Sequence, residues 1–230
     1  MKVLMLSSSR YGDYDYLAYA TSWIEAHLND VQEALFIPYA GVTLGWEAYT
    51  QKVQEAIPDV KITGIHQVED PKLAVKQAKA ILVGGGNTFN LLHLLQEHDL
   101  IDEIKHKVEQ DTPYIGWSAG SNICGISIRT TNDMPIVEPR TFNALNFVNA
   151  QLNPHYTDYV APNHHGETRD ERLAEFCTLN PSTPVLAIRE GSALEIVNNK
   201  LFLKGDLDGF VFASDSKIAI TNEQDLSEYL

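Results

Sequence analysis

Strands and helices alternate through the first half of this chain, and that rhythm restricts the fold more than any other feature. Residues 2–7 are an apolar, β-compatible run, after which Leu17, Ala20, Ile24 and Leu28 recur at helical spacings of three and four. A strand over 33–37, a helix over 47–56 and a strand over 60–66 follow. Asp70 and Pro71 then supply an N-cap and a first helical residue ahead of LAVKQAKA. The run at 80–83 is the next strand. Phe89, Leu91, Leu92 and Leu95 mark a helix, Ile101, Ile104 and Val108 another, and Pro113 opens a strand over 114–117. Such alternation predicts right-handed crossovers and an α/β fold, its mainly parallel sheet covered by helices on both faces. Ligands of these sheets bind beyond the carboxyl ends of the strands. From about Ile126 the texture changes to loops and β-like pieces, and Asn198-Asn199 can turn a hairpin within SALEIVNNKLFLKG.

With 230 residues and 44% hydrophobic content, one core suffices, so a single domain over 1–230 is expected. The net charge of −14, without any long Lys/Arg cluster, argues against nucleic acid or an anionic membrane as partner. Any anionic substrate must be held by a few local arginines. No stretch approaches the roughly 18 consecutive apolar residues of a membrane span. Cys124 and Cys177 are far apart and outside metal-ligand spacing, which speaks against a disulfide framework or a zinc site and for a reducing cytoplasm.

Gly116-Trp117-Ser118-Ala119-Gly120 carries the chemistry. This G-x-S-x-G follows one predicted strand and precedes a helix, the context of a nucleophile elbow, in which a sharp turn exposes the serine oxygen. A tight turn without chemistry would use the same glycines. A serine nucleophile also needs a base, a group to orient that base, and donors for the oxyanion. Of eight histidines, His93, His98 and His106 fall within helical patterns, and His27 and His66 near the ends of early elements. His155, in Asn153-Pro154-His155-Tyr156, follows a β-like run and lies in irregular chain; His164 and His165, in a polar loop, are rivals. The backbone N–H of Ala119 is one candidate oxyanion donor. The other comes from Gly84-Gly85-Gly86-Asn87, which lacks the lysine of a phosphate-binding loop.

VGGGNTF, PYIGWSAGSN, IRTTNDMPIV, NPHYT and GETRDER together closely resemble the peptidase E family, aspartyl dipeptidases with a fold similar to flavodoxin and the class I glutamine amidotransferases. The resemblance implies hydrolysis of dipeptides with N-terminal aspartate, without metal or cofactor. It makes Ser118 the nucleophile, His155 the base and Gly86 an oxyanion donor, and it leaves either Glu190 or Asp133 to orient the base. Glu190 follows the strand-like run 185–188, which a parallel sheet would bring alongside Ser118; Asp133 sits in a loop before a proline, where an Asx turn explains it equally well. Arg169, Arg129 or Arg172 would hold the substrate β-carboxylate, Arg169 first because it lies nearest the loop. The expected partner is a small peptide, the expected assembly a monomer or weak homodimer. The competing readings are a cyanophycinase-like peptidase, an esterase, and a non-catalytic amidotransferase-like binding module.

Overall fold

A computed structural model describes residues 1–163 and 165–230; His164, one of the rival bases, lies outside the described residues. The first half matches the predicted rhythm: β1 (Val3–Leu6), α1 (Thr21–Leu28), β2 (Glu33–Ile37), α2 (Trp46–Ala56), β3 (Lys61–Gly64), α3 (Pro71–Gln77), β4 (Ile81–Val83), α4 (Thr88–Glu97), α5 (Ile101–Glu109) and β5 (Tyr114–Trp117). Asp70 caps α3 by accepting the N–H of Leu73 at 3.0 Å, with Pro71 in the first turn. Then follow α6 (Ala119–Asn122), β6 (Gln151–Asn153), α7 (Arg169–Leu179), β7 (Val185–Ala187), β8 (Ala193–Val197), β9 (Lys200–Lys204), β10 (Gly209–Ala213) and β11 (Ser216–Ile220).

The main sheet has seven strands in the order β3-β2-β4-β5-β1-β8-β9. The five from β3 to β1 are parallel, and the β8–β9 hairpin continues the sheet antiparallel from β1. Both hairpin turn residues, Asn198 (φ 52°) and Asn199 (φ 58°), take the left-handed backbone that a two-residue turn of this hand requires. Successive side chains alternate between faces. Leu4, Phe36, Leu82 and Ile115 pack with Ile24 of α1 and Val53 of α2, whereas Val3, Ile37, Ile81 and Tyr114 pack with Val75, Leu92 and Ile104 of α3, α4 and α5.

A second sheet, β11-β10-β7-β6, holds the later strands, with β6 and β7 parallel. Leu152, Leu186 and Val211 turn toward the main core, while Val185, Ala187 and Phe212 pack with Leu173 and Cys177 of α7. The strand before Glu190 therefore belongs to this small sheet. The expectation that one parallel sheet carries both Ser118 and Glu190 is thereby corrected: a three-residue apolar run has no feature that distinguishes the sheet it will join. Among the described residues no helix is long and apolar enough to cross a membrane.

Candidate active site

Ser118 follows β5 at φ 54° and ψ −111°, outside the ordinary helix and strand regions. The surrounding structure holds it there. A side chain on Gly116 would overlap the carbonyl of Gly120, so the turn from β5 into α6 closes only around bare backbone. The helix after the turn is a single turn.

His155 Nε2 lies 2.8 Å from Ser118 Oγ, and Nδ1 lies 2.6 Å from Glu190 Oε1. The tautomer that satisfies both contacts has its proton on Nδ1, donated to Glu190, and accepts the serine hydroxyl at Nε2. Base and acid are neighbours because β6 and β7 run side by side, with Asn153 opposite Ala187. His155 comes two residues after one strand and Glu190 three after the other. Past the strands the pairing continues, since Ile188 N–H donates to Asn153 O at 3.1 Å and Tyr156 N–H to Ile188 O at 3.0 Å.

Two contacts missed by sequence reasoning hold this pair. Fully buried Ser7, just beyond β1, accepts the His155 N–H at 2.8 Å and donates to Ile188 O at 2.9 Å. It thus ties the small sheet to the main one. The available signal was its position, a polar residue at the carboxyl end of a predicted central strand. Arg189 forms a fork to Asp158 at 2.9 and 2.7 Å and lies over the rings of Tyr156 and Phe210, joining the His155 loop to the Glu190 loop. Hydrogen bonding from Arg189 holds the Asp158 carboxyl down at about 2.

Asp133 does not meet the imidazole. Its carboxylate accepts the N–H of Thr88 at 2.7 Å, the Thr88 hydroxyl at 2.6 Å and the Thr131 hydroxyl at 3.2 Å, at the start of α4. A carboxylate favours that place because the first helical N–H groups have no partner within the helix. Of the two acids left open by the sequence, the geometry brings Glu190 to His155. Asn87 Nδ2 donates to Met134 O at 2.8 Å and Asn132 Nδ2 to Pro154 O at 3.0 Å. The Asp133 segment therefore links the glycine loop to the histidine loop.

Gly86 is exposed at φ 138°, where a Cβ would overlap the carbonyl of Ala40. Among the described residues its N–H has no backbone partner, and the Ala119 N–H, first in α6, has none within its helix. Gly85, Gly86, Ser118 and His155 all line one cavity of about 590 Å³.

Arg129, Arg169 and Arg172 line a second cavity of about 670 Å³, with Asp133 and Met134 in its wall. Arg129 and Arg172 are exposed, the first donating to Asn180 at 3.1 Å, the second 3.6 Å from Glu167. Arg169 is half-buried and has no ion pair among the described residues; burial, and then the neighbouring Arg172, push its pKa down. His165, the other rival base, is exposed in its loop.

Past the ends of β5, β6 and β7, Ser118, His155 and Glu190 stand in one hydrogen-bonded row, an arrangement of the kind that serine-type hydrolases use. The chain belongs to peptidase family S51, whose model matches residues 3–204. It is 51% identical over 233 residues to a peptidase E of Shewanella denitrificans, covering 100% of this chain and 99% of that one, and 50% identical, at the same coverage, to one of Shewanella amazonensis. The fold is similar to a crystallised peptidase E protein of Listeria monocytogenes (TM-score 0.66, 21% identity, 89% of this chain and 98% of that chain). It is also similar to a peptidase of an acI-B1 actinobacterium (TM-score 0.68, 16% identity, 98% and 96%).

Proposed function

We propose that Ser118, His155 and Glu190 are the catalytic triad of this serine dipeptidase, which hydrolyses dipeptides bearing an N-terminal aspartate. The observation that carries the reading is the row of 2.8 and 2.6 Å contacts through His155. Ser118 Oγ attacks the aspartyl carbonyl carbon while its proton passes to His155 Nε2. Charge on the carbonyl oxygen is met by the N–H groups of Gly86 and Ala119. The Glu190 carboxylate holds the ring and stabilises the imidazolium. On collapse, the leaving amino group takes the proton from Nε2, and a water molecule repeats the sequence on the acyl-enzyme.

Arg169 binds the β-carboxylate. Its lack of a carboxylate partner among the described residues and its half-buried position favour it over Arg129 and Arg172, and a bound anion would offset the burial that depresses its pKa. In a chain of net charge −14, only a local guanidinium attracts that group. The reading extends to a cytoplasmic location, supported by the free thiols of Cys124 and Cys177. It also extends to a monomer or weak homodimer and a metal-free, cofactor-free reaction.

A fluorophosphonate probe tests the triad: it should label Ser118, and the His155→Ala variant should resist labelling. Label on another residue would remove Ser118 as nucleophile. Arg169→Met should lower kcat/KM for Asp-Leu by about 2 kcal/mol, roughly 30-fold, while hardly changing Asn-Leu. An unchanged Asp-to-Asn ratio would move the carboxylate site elsewhere.

A further inference from the structure

We propose that Lys52 binds the free α-carboxylate of the dipeptide and thereby makes the enzyme select peptides that end at the residue after the scissile bond. The inference rests on Ser118 being the nucleophile, because it concerns the cavity into which Ser118 opens.

An Asp-X dipeptide carries two carboxylates, and the arginine cavity answers only one. The second lies one residue past the scissile carbonyl, about 3.8 Å further along the backbone. Lys52 lines the cavity that holds Ser118, Gly86 and His155, and among the described lining residues it is the one Lys or Arg, with no Asp or Glu beside it. It is half-buried and forms no ion pair among the described residues. The acids nearest to it on α2 are engaged, Glu47 with His66 and Gln67, and Glu55 with Gln51. An unneutralised ammonium in a substrate cavity of so acidic a protein is a site for an anion.

Its position is also built. Lys52 comes three residues after Tyr49 on α2, so both lie on one helix face. Buried Tyr49 donates its hydroxyl to Gly85 O at 3.0 Å and accepts the Trp117 indole N–H at 3.1 Å, which fixes this face of α2 against the glycine loop and the strand before Ser118. Tyr16 donates to the Tyr49 hydroxyl at 3.4 Å, and its ring lies under the Lys52 ammonium, 4.3 Å from Nζ to the centroid. The aromatic face steadies the cation without neutralising it. Val42, Leu44 and Ile136, 55, 37 and 56% exposed, border the same cavity and offer apolar contact to the side chain of the departing residue.

The test compares Asp-Leu with Asp-leucinamide, which differ only in the terminal carboxylate, on wild type and on Lys52→Met, Lys52→Gln and Lys52→Glu, each checked by thermal melting. Wild type should favour the acid in kcat/KM by about tenfold or more. The ratio should fall close to one in the two neutral variants and below one in Lys52→Glu. A wild-type ratio near one, or a ratio unaltered by all three substitutions, overturns the proposal and leaves Lys52 as support for Tyr16. Ser118→Ala is assayed alongside. If it still cleaves both substrates, the nucleophile assignment fails; if it cleaves neither while the ratio stays unaltered, the lysine assignment alone fails.

Discussion

The two halves of the site are built by different means. At the edge of the seven-stranded sheet, Ser118 and the glycine loop are positioned by backbone: a left-handed turn between glycines too close for side chains, and N–H groups released by a helix start and a loop. At the edge of the four-stranded sheet, His155 and Glu190 are positioned by side chains, through Ser7, Arg189 and Asp158. The Glu190 side chain is 54% exposed and His155 38%, while every residue of β5 is buried. Bare-backbone geometry tolerates almost no substitution, whereas a side-chain frame distributes its work over several contacts, each of modest worth.

The most severe test asks whether the two edges act as one unit. Ser118→Ala should leave a folded protein and cost on the order of 10³-fold or more in kcat; His155→Ala should lose as much, and the double variant little more. Losses that multiply would mean that the edges work independently. Next come the acids. Glu190→Gln should lower kcat by about 10- to 100-fold, less than a buried orienting carboxylate would, because solvent screens an exposed one. Asp133→Asn should cost less in kcat and lower Tm instead, since its partners are the start of α4 and Thr131. The reverse order would return the orienting role to Asp133.

Ser7→Ala tests the joint itself. Removing the hydroxyl strands the His155 N–H and one Ile188 hydrogen bond in a buried place, so stability should fall by about 2 kcal/mol. If the joint aligns the imidazole, kcat should also fall about tenfold with KM nearly constant. A lower Tm with unchanged kcat would confine Ser7 to the core. The smallest effect belongs to Arg189→Met. The folded pKa of Asp158, about 2, lies below its unfolded value, so the fork stabilises fully above pH 4 or so and loses its contribution as pH falls through about 2. The Tm difference between wild type and variant should narrow on acidification across that window. A difference that stays constant to pH 2 would assign Arg189's role to its stacking on Tyr156 and Phe210.

Local rules made much of this protein legible in advance. The three-and-four spacing of apolar residues, the Asp70-Pro71 start, the Asn198-Asn199 turn and the G-x-S-x-G between strand and helix are signals within a few residues of one another, and each corresponds to an element of the structure. The motifs also carried the family, which the comparisons show. Sequence left Glu190 and Asp133 both open: Glu190 follows a strand-like run, and Asp133 stands in a loop before a proline, where an Asx turn would explain it equally well. Which acid meets His155 follows from the pairing of β6 with β7 in a second sheet, a contact between residues more than thirty positions apart. The position of Ser7 at a strand end was legible, but not its partners, which lie 148 and 181 residues away. What the chain determined by itself was each element and the chemistry at its end, because helix, turn and elbow geometry depend on near neighbours. Which ends meet was decided only by tertiary structure, because strand pairing and buried hydrogen bonds reward contacts that no local pattern encodes.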